Sequence, residues 1–117
     1  MIRNITKKCT LANNINFART LIQKSNGLMF SFPKKDYALI FPFDKERIIS
    51  LHMLFVFYRI DILWLNKDKE VVDLRKCAIP FMPLIIPKAK AKYVIELPCG
   101  IIKKTSTEIK DKIEWKE

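Results

Sequence analysis

Two carboxylates sit where water is scarce. Asp61 interrupts the apolar run "YRIDILWLN" (Tyr58 to Asn66), and Glu96 closes another, "KYVIELP" (Lys92 to Pro98). A pair of acids sharing one pocket can serve as acid and base in hydrolysis, and a single one can hold a polar group of a ligand. Cys99 stands between Pro98 and Gly100 in a turn sequence, and His52 is the only imidazole in the chain. A nucleophilic cysteine needs such a base or a positive field beside it. Arg59 lies among Phe55, Phe57, Tyr58 and Trp64, a mixture that stacks on nucleobases when displayed on a sheet face. Asp61, Glu96, Arg59 and His52 are therefore the candidate ligand-binding residues.

Each has a plainer reading. A part-buried Asp61 must find donors, so it can pin a turn or pair with a basic side chain. Glu96 can pair with one of many lysines, and Cys99 can be an ordinary turn thiol. Met29 and Met53 suit irregular gaps among aromatic rings, and the aromatics occupy the most hydrophobic segment, where a core role is expected. No paired catalytic constellation is assigned.

The inventory excludes several chemistries. Three cysteines (Cys9, Cys77, Cys99) lie far apart, with no CxxC and one histidine. A structural zinc site takes four ligands at short local spacing, so no metal is expected. Small secreted disulfide frameworks use even cysteine counts, so reduced thiols are expected. Two glycines in 117 residues leave no Gly-rich phosphate loop, and no cofactor is expected.

The net charge is +10, yet its lysines are scattered from Lys7 to Lys112. Nucleic-acid affinity needs that charge gathered on one face, so a solvated basic surface is the leading reading. The longest charge-free stretch around the apolar centre, Ile48 to Tyr58, has eleven residues. A spanning helix needs about 20, so no membrane segment is expected. "MIRNITKKCTLANN" lacks the apolar core of a signal peptide, which makes the cytoplasm the expected location.

The elements that must position these residues are mostly strands. Ile, Val, Phe, Tyr and Trp dominate the centre and favour strands. Period-two reading puts Leu51, Met53, Phe55 and Phe57 on one face of a first strand. A second carries Ile60, Ile62 and Trp64 on one face and Asp61, Leu63 and Leu65 on the other. Short strands are predicted around Ile2–Ile5 and Cys9–Ala12, with Asn13-Asn14 as their turn. "ARTLIQKSNG" reads as a helix capped at Thr20 and stopped by Gly27. Strands follow at "LMFSF", "ALIFPF", "EVVDLRKC", "KYVIELP" and "DKIEW", with one helical turn in "IIKKTSTE". Pro80, Pro83 and Pro87 make "AIPFMPLIIPKAKA" an extended surface crossing.

Taken in order, "ARTLIQKSNGLMF", "HMLFVFYRIDILWLN", "KEVVD", "AKYVIELPCG" and "IKDKIEW" resemble domain-of-unknown-function family 192, found across archaea and bacteria. The resemblance covers the chain from about Ala18 onward. It implies a compact, mostly antiparallel β fold, and no reaction, cofactor or substrate. Arg59 stands where the family commonly has proline, Lys110 where it commonly has glycine, and Leu54-Phe55 where bacterial members carry Lys-Asn.

The expectation is one α+β, β-rich domain over residues 1–117. A mostly antiparallel sheet closes as a small barrel or sandwich, with one or two short helices. Its expected role is a non-catalytic binding or interaction module, monomeric or dimeric, for an unknown small ligand or protein. The alternatives are an anion or single-stranded nucleic-acid binder, and a small enzyme using Asp61 and Glu96.

Overall fold

The computed structural model describes residues 1–20, 34–53 and 56–116. Eight strands and one short helix occur among them: β1 (Ile2–Asn4), β2 (Cys9–Ala12), β3 (Asn14–Phe17), β4 (Tyr37–Arg47), β5 (Ile60–Leu65), β6 (Val71–Ala78), β7 (Ala91–Pro98), α1 (Ile101–Thr105) and β8 (Ile113–Trp115). Five strands form one sheet in the order β3-β4-β7-β5-β6, and three form a second in the order β2-β1-β8. All described pairings are antiparallel except β3 with β4, which run parallel.

The larger sheet is covered on both faces, which is why β5 is buried at all six positions. Ile60, Ile62 and Trp64 join one core with Leu39, Phe41, Met53, Val56, Ile85 and Val94. Leu63 and Leu65 join the other with Ile2, Leu11, Ile40, Ile95, Leu97, Ile102 and Ile113. The first core lies under the segments entering β5 and β7; the second lies between the larger sheet and the layer of β1, β2, β8 and α1. The alternation expected for β5 is the observed one.

A polar cluster ties the chain ends to the second layer. The buried Asn4 amide donates to Thr107 Oγ1 at 3.0 Å and to Asp111 Oδ2 at 2.8 Å. Lys7 Nζ reaches Asp111 and Glu108 at 3.0 and 2.9 Å. Burial pushes the Asp111 carboxyl up, but the Asn4 amide, the Glu108 N–H and Lys7 outweigh it and hold the group below its ordinary value.

Several expectations are corrected. Among the described residues no sheet closes into a barrel; the architecture is β-rich with mixed sheets and one short helix. The β1–β2 turn occupies residues 5–8, and Asn14 instead begins β3. Of the strand expected over Leu51–Phe57, the described residues form an isolated bridge between Leu51 and Ile85, and positions 54 and 55 lie outside them. There Met53 and Val56 are buried while Phe57 is 58% exposed, a spacing that period two does not produce. The Val56 N–H donates to the Met53 carbonyl. The prolines of the 79–90 crossing keep it outside the sheet, as expected. The helix expected after Thr20 and the strand "LMFSF" lie outside the described residues. No described helix is long and apolar enough to cross a membrane.

Candidate functional site

β7 is the central strand of the larger sheet, and its register decides what each acid can do. Asp61 pairs with Leu97, and Ile62 pairs with Glu96. Opposed residues share a face and successive residues alternate, so Asp61 and Glu96 point to opposite sides. The two carboxylates do not share a pocket.

On its side, Asp61 is fully buried. Its Oδ1 accepts the Cys77 N–H at 2.8 Å, and its Oδ2 accepts the N–H groups of Ile102 at 2.7 Å and Gly100 at 3.2 Å. The local backbone explains the donors. The β5–β6 register shifts between Ile60 and Ile62, and Cys77 takes a φ of 44°. That bulge takes the Cys77 N–H out of the ladder and aims it at Asp61. Gly100, with a φ of 101°, turns the chain from β7 into α1 and presents the other two N–H groups.

These donors bracket a covalent link. Cys77 and Cys99 form a disulfide, with Cα atoms 4.8 Å apart. This corrects the expectation of three reduced thiols; among the described residues only Cys9 is free. β5 lies between β6 and β7, which by itself sets their backbones roughly 9.5 Å apart. The bulge at Cys77 and the turn at Cys99 close that gap across the start of β5. Cys99 is therefore neither a free turn thiol nor a partner for His52.

On the opposite side, Glu96 is 8% exposed between Leu39 of β4 and Ile62 of β5. Its Oε1 has no hydrogen-bond partner among the described residues. Desolvation pushes its pKa up to about 8, so the acid is mostly protonated at neutral pH. It lines a cavity of about 220 Å³ with Tyr37, Tyr58, Arg59, Leu97 and Cys99 among its described walls. Lys34 is also at this cavity, its Nζ 4.6 Å from the centre of the Tyr37 ring.

Of the four candidate residues, Glu96 and Arg59 thus line one cavity, and Asp61 lies behind the sheet. His52 is exposed and is not among the described walls. Tyr58, weighed in the sequence only as a base-stacking aromatic beside Arg59, lines the cavity, as do Lys34 and Tyr37, which the sequence does not mark as ligand-binding. Lys34 and Tyr37 reach the cavity only because β4 lies beside β7, which residue spacing does not reveal. Trp64 is buried and donates its indole N–H to the Ile49 carbonyl at 2.9 Å, so it is out of reach for base stacking.

A family model described as Uncharacterized ACR, domain-of-unknown-function family 192, matches residues 2–115. The chain belongs to this family. Among family 192 relatives, the UPF0127 protein of Thermococcus sibiricus is 38% identical over 98% of this chain and 74% of its own length. The UPF0127 protein of Pyrococcus furiosus is 37% identical over 96% of this chain and 95% of its own. Two crystal structures share the fold with a TM-score of 0.80. One, from Sinorhizobium meliloti, is described as a putative transcription regulator; it is 24% identical, over 86% of this chain and 79% of that one. The other, a protein of unknown function from Novosphingobium aromaticivorans, is 22% identical, over 86% of this chain and 74% of that one. At those identities the likeness shows the fold alone.

Proposed function

We propose that this family 192 protein is a non-catalytic binding module whose ligand occupies the cavity at Glu96. One observation carries the reading: a buried carboxyl group with an unpartnered oxygen lines an open cavity. A buried polar group without a partner costs about 1–3 kcal/mol, and a ligand atom that bonds it recovers part of that cost. The cavity holds about seven water volumes, which suits a small molecule. Its walls ask for an apolar body. The protonated Glu96 asks for an acceptor, and the cations Arg59 and Lys34 ask for negative charge. A small carboxylic acid, bound as its anion, meets all three demands.

The test is a thermal-shift series with branched aliphatic and aromatic carboxylates at neutral pH. Bound ligand raises Tm by mass action. Arg59→Ala and Glu96→Leu are expected to weaken the shift while the proteins stay folded. A panel with no stabilising member, or an undiminished shift in both variants, removes the reading.

The opposed carboxylates weigh against a hydrolase built on Asp61 and Glu96 together. Buried Trp64 weighs against a nucleic-acid ligand stacked on the β5 aromatics. A labelled single-stranded oligonucleotide at low salt, where phosphate contacts are strongest, is expected to show no anisotropy change.

A further inference from the structure

Asp61, Cys77 and Cys99 come from β5, from the end of β6 and from the turn after β7, yet one donor atom of each lies within 4.8 Å of the others. We propose that, when the Cys77–Cys99 bond is reduced, these three side chains form a binding site for a thiophilic divalent cation, zinc above all. The site shares Cys99 with the wall of the Glu96 cavity, but its argument does not depend on the cavity reading.

Four features of the geometry point this way. Tetrahedral zinc with two thiolates and one carboxylate separates its ligand atoms by roughly 3.5–3.8 Å. Donors already this close reach that spacing by side-chain rotation once the sulfurs part. Sheet register and the bulge fix the backbones that carry them. Three N–H groups hold the Asp61 carboxylate in place, and metal-ligating carboxylates are oriented by such outer hydrogen bonds. Cys99 is exposed and Cys77 half-buried, so an ion has an entry path and a fourth position open to water.

Electrostatics adds the driving force. Two thiols beside a buried carboxylate cannot both ionise without strong like-charge repulsion. A dication removes that repulsion, and paired sulfur donors select zinc over magnesium or calcium. In the disulfide state the sulfurs carry no charge and the site is closed. Local spacing rules could not find this set, because the donors are 16 and 22 residues apart.

The balance is simple. A water-soluble phosphine and one water convert the disulfide into two thiols: the phosphine becomes its oxide, and the two hydrogens of water end on sulfur. Metal binding then releases the two thiol protons to solvent, while the Asp61 carboxylate coordinates without losing one.

Anaerobic phosphine-reduced protein, freed of excess reductant, is titrated with cobalt(II) as the probe. The expected result is one ion per chain, thiolate-to-cobalt charge-transfer absorption, two protons released, and displacement by zinc. Cys99→Ser is expected to abolish the charge-transfer band of the paired thiolates and weaken binding at least about tenfold. Asp61→Asn is expected to weaken it roughly 10–100-fold; if that variant is unfolded by circular dichroism, Cys99→Ser decides. Reduced protein that takes up no cobalt overturns the proposal, as does equal uptake by oxidised protein or by Cys99→Ser.

Discussion

Asp61 and Glu96 sit one register position apart on neighbouring strands and face opposite ways through the sheet. Their surroundings differ as much as their directions. Asp61 has three N–H donors, whereas the Oε1 of Glu96 has none among the described residues. One acid therefore holds the structure together, and the other strains it.

Removing the first is expected to be costly. Asp61→Asn places an amide NH₂ against backbone N–H groups, and Asp61→Ala leaves three buried donors without an acceptor. Hydrogen bonds to a charged group each contribute about 1.5–3 kcal/mol. Urea unfolding should show losses of roughly 3 kcal/mol or more for either variant, with β6 and α1 losing amide-exchange protection first.

Replacing the second is expected to help. The Glu96 carboxyl titrates near 8 in the fold, against 4.5 for its ordinary value. Its proton is held longer by the folded than by the unfolded state. The Glu96 contribution to stability is therefore fully present below about pH 4.5, is lost as pH rises, and levels off above about pH 8. Glu96→Gln should remove this slope, and Glu96→Leu should raise stability by roughly 1–3 kcal/mol at pH 8. Melting curves from pH 5 to 9 check both. If the cavity binds a carboxylate through the protonated acid, that affinity should also fall above pH 8.

The disulfide closes a loop between positions 22 residues apart. Loop-closure arithmetic gives about 3 kcal/mol for such a link. Cys77→Ser, Cys99→Ser and wild type in metal-free reductant should share one lowered Tm, within the error of the scan.

Asp111 should govern the acid limb. Its carboxyl is held below 3.8, so its contribution is present above that pH and fades as pH falls through the lower folded value. Asp111→Asn should lower stability at pH 7 and flatten the loss below about pH 4, as read by denaturant titration. Lys7→Ala, which removes a partly exposed partner of the same carboxylate, should change stability much less than Asp111→Asn does.

How far the sequence could be read depended on the range of the interactions. The two faces of β5 were legible because Ile60, Ile62 and Trp64 alternate with Leu63 and Leu65, and alternation is a property of neighbours. Tyr93–Leu97 was legible as a strand for the same reason. The mismatch at Leu51–Phe57 has the opposite cause: the residue types favour a strand, but the described part of the segment bonds to the proline-rich crossing, Leu51 to Ile85 and Met53 to Met82 and Phe81. The Cys77–Cys99 link depends on β5 lying between β6 and β7, a matter of sheet order that no local spacing encodes. Its rejection also used a counting rule for secreted domains, while intracellular proteins of hyperthermophiles carry disulfides as well. The Asp61 anchor was foreseen as one option, since a buried carboxylate must find donors; which N–H groups supply them was not.

β1 is held on one side by β2 and on the other by β8, so residues 2–4 are flanked by residues 113–115. During synthesis the first strand must wait for the last. At about 5–20 residues per second, the ribosome leaves that edge uncovered for roughly one to three seconds after β7 has been made. The small sheet is thus the final part to close, and a nascent chain stalled before Ile113 would offer β1 to any strand that passes.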